Sequence, residues 1–290
     1  MINTFKVVNR KIELPTYDEK VSIYFFGDIH RFAKSCDVDR WHWFLKKARE
    51  HVEQDPDRVF FFGMGDYDDF ASTREKADLS KMHETTIETF DEMNETRTRV
   101  LAKEMSFMRG KVLGLIEGNH HWVYVNGGTT TMDLASRLDA EYLGWLCHYT
   151  LRFEFANRNT RPCDVHFVLC HGKAGGKTAG ITINQVSDMK LIFPVANVFA
   201  MGHDHQRGAW PQNVLVPSKK SNGETKIKQL RQFLCRSGSF KKAYEANTAG
   251  YEIGRLLKPA DLGAIRLDFS FHRDRKDGND DIILDITSVV

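Results

Sequence analysis

Five times along this 290-residue chain an apolar run stops at a tight turn that carries aspartate, asparagine or histidine. The runs are Val21–Phe26 before Gly27-Asp28-Ile29-His30, Arg58–Phe62 before Gly63-Met64-Gly65-Asp66-Tyr67-Asp68-Asp69, and Leu113–Ile116 before Glu117-Gly118-Asn119-His120-His121. Val165–Cys170 stops at His171-Gly172, and Asn197–Met201 at Gly202-His203-Asp204-His205. β-Branched and aromatic residues dominate these runs, so they read as strands. Between the first two, Trp41, Phe44, Leu45, Ala48 and Val52 recur at helical spacing, and Asp55-Pro56-Asp57 ends that helix. Strand, helix, strand is the grammar of a βαβ unit, and two units in a row predict a sheet covered by helices. In open α/β sheets ligands collect outside the carboxyl ends of strands, so five such turns can converge on one centre.

The rest of the chain is read more coarsely. Residues 71–110 form a polar insertion whose second half, 82–108, sets Ile87, Phe90, Met93, Val100, Leu101, Met105 and Met108 on roughly one helical face. That helix either packs on the sheet or also overhangs the substrate. Further helices are expected over 132–143 and 181–193, and strands over 145–155, 229–235, 263–271 and 282–289. Residues 218–228 read as a lysine-rich loop, inside a β-rich part over 206–290. With no repeat, low-complexity tract or linker, residues 1–290 read as one domain.

Composition narrows the classes. A formal charge of +2 gives no global field toward nucleic acid or anionic lipid, although Lys219, Lys220, Lys226, Lys228 and Arg231 could form a local basic patch. The five cysteines are scattered, with no Cys-x-x-Cys pair, which suits reduced thiols. The amino terminus has no apolar core of a signal peptide, and no apolar run approaches the ~18 residues of a membrane span. A cytoplasmic protein without a membrane partner is expected.

The side chains at the strand ends define a chemistry. Carboxylates, imidazoles and a carboxamide without thiolates favour manganese, iron, zinc or nickel over a soft metal. There are more of them than one tetrahedral ion needs, which suggests two divalent ions sharing a carboxylate. Two ions about 3.5–4 Å apart clamp the attacking and leaving oxygens of an in-line displacement.

The order Asp28-x-His30, Gly65-Asp66-x-x-Asp69, Gly118-Asn119-His120, His171 and Gly202-His203-x-His205 resembles the calcineurin-like metallophosphoesterase superfamily. The match runs from about Gly27 to His205. The resemblance implies a four-layered α/β/β/α sandwich of two mixed sheets flanked by helices. It implies that Asp28, His30 and His205 hold one metal, that Asn119, His171 and His203 hold the other, and that Asp66 bridges both. Two divalent ions are implied as cofactors, manganese first among the four candidates. His120 would be the general acid, oriented by Asp69, in an attack on phosphorus by hydroxide held between the ions.

Departures from the family pattern shape the expected substrate. Protein serine/threonine phosphatases of this superfamily carry an arginine where Phe70 stands and another where Glu117 stands. Both arginines grip a phosphomonoester dianion, so their replacement favours a phosphodiesterase acting on nucleotides or nucleic acid. A phosphomonoesterase for a small phosphorylated metabolite is the alternative, and a non-catalytic protein-binding scaffold a remote one. His121 replaces the usual acid and could back the ligands, touch substrate or be a tolerated change. Gly172-Lys173-Ala174-Gly175-Gly176-Lys177-Thr178 fails as a phosphate-binding P-loop because His171 stands where its first glycine is required. Lys173 and Lys177 there either touch substrate phosphate or face solvent.

Overall fold

The computed structural model describes residues 5–70, 84–156, 161–173, 178–219, 223–244, 253, 258–274 and 281–290. Within them lie two six-stranded sheets, each mixed in strand direction. The first has the order β12-β11-β2-β3-β4-β5. It is built from β2 (Lys20–Phe26), β3 (Val59–Gly63), β4 (Val112–Leu115), β5 (Glu141–Tyr142), β11 (Ile265–Asp274) and β12 (Asp281–Val289). The second has the order β1-β6-β7-β8-β10-β9. It comprises β1 (Phe5–Leu14), β6 (Leu146–Phe155), β7 (Cys163–Cys170), β8 (Val198–Met201), β9 (Arg207–Lys219) and β10 (Thr225–Ser237).

The unbroken apolar runs follow from burial on both faces, since alternate side chains of a strand point to opposite sides. In β2, Ile23 and Phe25 enter the core between the sheets, while Phe26 and Tyr24 turn outward against helices. In β3, Phe60 and Phe62 face inward and Val59 and Phe61 outward. β8 repeats this, with Val198 and Ala200 toward the other sheet and Phe199 and Met201 away. The outer face of the first sheet is covered by α1 (Val38–Gln54), α2 (Glu84–Glu104) and α3 (Thr130–Arg137). The outer face of the second is covered by α4 (Ala179–Ser187) and a following 3₁₀ turn, Asp188–Leu191. The result is the expected α/β/β/α sandwich.

Several elements differ from expectation. The amino-terminal strand β1 has no counterpart in the sequence reading; it lies parallel to β6 at the sheet edge, with Phe5 and Val7 exposed. β9 and β10 pair antiparallel along their whole length, so Lys219, Lys226 and Lys228 of the expected lysine-rich loop lie on strands, while residues 220–222 lie outside the described residues. The strands after His205 are shared out, β9 and β10 to the second sheet and β11 and β12 to the first. The helix expected over 132–143 stops at Arg137 and gives way to β5, which pairs with β4. In α2 the buried positions are Asn94, Thr98 and Leu101, followed by Met105, while Met93 and Val100 are exposed. Apolar side chains alone therefore misplace the inner face of this helix. Residues 71–83 of the insertion lie outside the described residues.

Within the first sheet β2, β3, β4 and β5 are parallel, and within the second β7, β8 and β10 are parallel. Seven carboxyl ends meet at one edge of the sandwich.

Candidate metal centre

Five of those seven strand ends carry the motif residues, and the backbone there is held in an uncommon conformation. Among the described residues six non-glycine residues have positive φ, and five are Asp28 (48°), His30 (47°), Asp66 (52°), His203 (72°) and His205 (57°). Aspartate and histidine tolerate this left-handed region better than most side chains, although such residues still cost of order 1–3 kcal/mol each. Main-chain bonds between the loops enforce it. Asp28 N–H donates to Gly65 O (2.9 Å), His30 N–H to Asp66 O (3.0 Å), and Gly202 N–H to His171 O (3.1 Å). A Cβ at Gly118 would run into the Asp66 carboxylate, so that loop packs backbone against acid.

Acceptor-only neighbours fix three imidazole tautomers. His171 Nδ1 meets Met64 O at 2.7 Å, His30 Nδ1 meets Asp69 Oδ1 at 2.8 Å, and His120 Nδ1 meets Phe70 O and Asp69 Oδ1, each at 3.0 Å. Each Nδ1 must carry the proton, which leaves Nε2 of His30 and His171 as a lone-pair ligand. Around His171 Nε2 stand Asp66 Oδ2 at 3.1 Å, Asn119 Oδ1 at 3.0 Å and His203 Nδ1 at 2.9 Å. Ligands bound at about 2.1 Å and at right angles lie about 3 Å apart, so this crowding suits one cation among them. In the second group, Asp28, His30 and His205 offer ligand atoms within 4.8 Å of one another. Asp28 Oδ1 and His30 Nε2 are buried there without a hydrogen-bond partner, and an orphaned carboxylate oxygen facing imidazole lone pairs is stable only around positive charge. Asp66 Oδ2 lies between the groups, 3.9 Å from His30 Nε2.

A third cluster, His30, Asp69 and His120, is also close enough to hold an ion. Its contacts are already hydrogen bonds through the two Nδ1 protons, so Asp69 serves to orient both rings.

The charges follow the geometry. Burial, with Asp66 nearby, raises Asp28 to about 7. Burial opposes charge on His171 too, but Asp66 outweighs it and raises the imidazole to about 9 while Asp66 itself is lowered. Burial and the His171 charge lower His203 to about 4, and burial lowers His205 well below the usual histidine range, which keeps both neutral and able to donate a lone pair. For His120 burial is outweighed by its bond to Asp69 and the Asp66 charge, and its affinity for a proton rises.

The structure thus brings Asp28, His30, Asp66, Asp69, Asn119, His120, His171, His203 and His205 to one point. His121 turns away from the centre, with Nδ1 on Gly118 O (2.6 Å) and 3.6 Å from Glu117 Oε1. Lys173 is exposed in the loop after His171, and Lys177 lies outside the described residues. Glu117 is fully buried and accepts hydrogen bonds from Thr129 Oγ1 (2.8 Å), Thr131 Oγ1 (2.5 Å) and Tyr142 OH (2.9 Å).

Sequence reasoning missed three supports. Arg236, fully buried in β10, donates to Gly202 O (2.7 Å) and pairs with Asp204 (3.4 Å), fastening the His203–His205 turn. Arg97 of α2 lies 5.1 Å from the Phe32 ring and 5.0 Å from the Phe70 ring, so the insertion leans on the loops after His30 and Asp69. Just past the end of β10, Ser239 Oγ and Phe240 N–H both donate to Asp28 O, each at 3.0 Å, and hold the Asp28 loop. None of the three sits in a local pattern that could have marked it.

No family model matches the sequence, and no curated protein matches it. Solved structures do. Vps29 from Chaetomium thermophilum aligns at 9% identity over 92% of this chain and 96% of its own, with a TM-score of 0.35. GAP50, the anchor in the inner membrane complex of Plasmodium, aligns at 9% identity over 90% and 86%, with a TM-score of 0.42. A 5'-nucleotidase precursor from Thermus thermophilus aligns at 10% identity over 94% and 54%, with a TM-score of 0.39. Scores this low carry no argument about this chain; what its own strands show is an α/β/β/α sandwich of two mixed sheets. Among the described residues no helix is long and apolar enough to cross a membrane, and all five cysteines are free.

Proposed function

We propose that this chain is a dinuclear metal-dependent phosphoesterase, and a phosphodiesterase before a phosphomonoesterase, with nucleotides or nucleic acid as the substrate class. The observation that carries the reading is the pairing of two ligand groups, Asp28/His30/His205 and Asn119/His171/His203, across the Asp66 carboxylate. Two divalent ions held there, manganese first among the candidates, would supply Lewis-acid charge and a nucleophile active at neutral pH. The protein's own part is orientation and proton transfer. Asp69 and Phe70 O hold His120 by Nδ1, so Nε2 is the atom that would give a proton to the departing oxygen. The preference for diesters rests on Phe70 and Glu117. Glu117 is bound by three hydroxyls and lends no positive charge, and a diester monoanion needs less of it than a monoester dianion.

Hydrolysis of a chromogenic phosphodiester and its monoester counterpart by Mn²⁺-loaded protein tests this, with Asp66→Asn as the blank. Diester turnover above monoester turnover is expected, lost by roughly a thousandfold or more in the variant. His120→Gln should lose about 10²–10⁴-fold with both metals retained, and less on esters with good leaving groups. Turnover that survives Asp66→Asn would sink the dinuclear reading, and monoester preference the diester one.

A further inference from the structure

A second concavity lies away from the strand-end motifs, where α1 crosses the outer face of the first sheet. It encloses about 280 Å³, near the lower end of small-molecule pockets at roughly 300 Å³. Phe44 and Tyr24 give it apolar surface, and the Trp43 indole, 52% exposed, lines it as well. Four cations, Arg40, Lys47, Arg207 and Arg266, line it too, and among its described lining residues there is no acid. Two of the four are engaged: Lys47 meets Glu50 Oε2 at 2.7 Å, and Arg266 meets Asp268 Oδ1 at 2.8 Å. Arg40 and Arg207 are left incomplete. Arg40 Nη2 donates to Leu262 O at 3.4 Å, and Arg207 Nη1 would stand 2.8 Å from a Cβ placed on the next residue, Gly263. The two guanidinium groups thus approach one stretch of backbone from α1 and from β9, and Gly263, at φ 132°, puts no side chain between them. Arg207 also pairs with Asp261 through Nη2 (3.2 Å), yet in both arginines Nε is buried without a hydrogen-bond partner. A buried cationic donor in that state costs free energy until an acceptor completes it. Arg40 lies 4.9 Å from the centre of the Trp43 ring, which joins the cationic end of the pocket to its aromatic wall.

We infer that this pocket binds a nucleotide, with the base against Trp43 and the phosphate at Arg40 and Arg207. The inference goes beyond the phosphoesterase reading and does not rest on it, since no motif residue lines the pocket. Its ligand must combine a flat apolar part with an anionic part. Indole rings and guanidinium planes both stack on bases, and the guanidinium fork matches phosphate oxygens. An acidic peptide would satisfy the arginines and leave the aromatic wall in water. The small volume sets the ligand at one nucleotide. That nucleotide is either free or one unit of a single strand. For the second source the path is short in sequence: the wall at Leu262-Gly263 continues to Asp261, whose N–H donates to His205 O (3.0 Å) at the metal centre.

The test measures binding in EDTA, which keeps metal-dependent hydrolysis out of the readout. Adenosine 5'-monophosphate is titrated by calorimetry, and a fluorescein-labelled oligothymidylate of about eight residues by anisotropy. The proteins are wild type, Trp43→Ala, Trp43→Phe, Arg40→Gln and Lys46→Gln. Lys46 is exposed on the same helix outside the pocket, so its loss controls for net charge. The inference expects affinity to fall by roughly five- to a hundredfold in Trp43→Ala and in Arg40→Gln, with most of it recovered in Trp43→Phe. Lys46→Gln should bind as wild type does, and equal melting temperatures separate lost binding from lost folding. Similar affinity for the two probes identifies a free nucleotide as the ligand, and an oligonucleotide bound about tenfold tighter or more identifies a single strand; either result supports the site. No binding by wild type overturns the inference, as does binding that survives Trp43→Ala or Arg40→Gln. A glutamate-rich peptide bound as tightly as the probes, and lost in the same variants, replaces the nucleotide by an acidic peptide and overturns it too. None of these failures touches the phosphoesterase reading, because the assay contains no free divalent ion.

Discussion

Two fully buried carboxylates sit at strand ends on the same edge of this molecule and have opposite characters. Glu117, after β4, is enclosed by the hydroxyls of Thr129, Thr131 and Tyr142. Asp28, after β2, has one oxygen on His203 N–H (2.9 Å) and leaves Oδ1 without a partner, 3.6 Å from His205 Nε2. Burial is the same; completion differs. A buried acid whose hydrogen bonds are satisfied within the protein is part of the scaffold, whereas one left incomplete among lone pairs is built for a cation.

That contrast can be broken by experiment. The largest effect should come from Asp28→Asn in metal titrations followed by plasma mass spectrometry. One ion per chain should be lost or weakened by more than the 10–100-fold that follows removal of a mere supporting partner. Retention of two tight ions would remove Asp28 from the ligand set. Next is thermal unfolding with Mn²⁺ at a hundred times its dissociation constant. Wild type and Glu117→Gln should each gain about 2.7 kcal/mol per site, and Asp28→Asn should lack the gain from its own site. In metal-free protein the two substitutions should differ in sign. Glu117→Gln should cost about 1–3 kcal/mol in denaturant unfolding, by stranding a hydroxyl partner. Asp28→Asn should be neutral or stabilising by about 1 kcal/mol, because its amide can face His205 Nε2. Should both destabilise equally, the distinction between scaffold and site falls.

The parts of this molecule visible in the sequence are those in which chemistry and chain direction are local. Asp28-x-His30 or Gly202-His203-x-His205 packs its strand end, turn and polar groups into a few residues, and aspartate and histidine are side chains that accept positive φ. The two-faced burial of β2, β3 and β8 is equally legible, because it writes itself as unbroken apolar runs. Glu117 is different. From the sequence it is only a missing arginine, since the hydroxyls that satisfy it come from a helix start 12–14 residues on and from Tyr142 on the neighbouring strand. Arg236 and Ser239 depend on β10 lying beside β8, a pairing made across more than thirty residues that no turn chemistry announces. β1 escaped for the reverse reason: its exposed edge face mixes apolar and charged residues, so it lacks the signature of a buried strand.

The Asp28 carbonyl, held by Ser239 and Phe240, also bears on how the protein is made. β2 lies between β3 and β11, so the strand that delivers Asp28 acquires its second neighbour only once residues 265–270 have been synthesised. At the usual 5–20 residues per second, the nascent chain spends most of its synthesis without a finished centre. Ions met during translation would find at best scattered imidazoles and carboxylates. On the dinuclear reading proposed above, the ion would be chosen in the surroundings in which β11 docks and the chain closes.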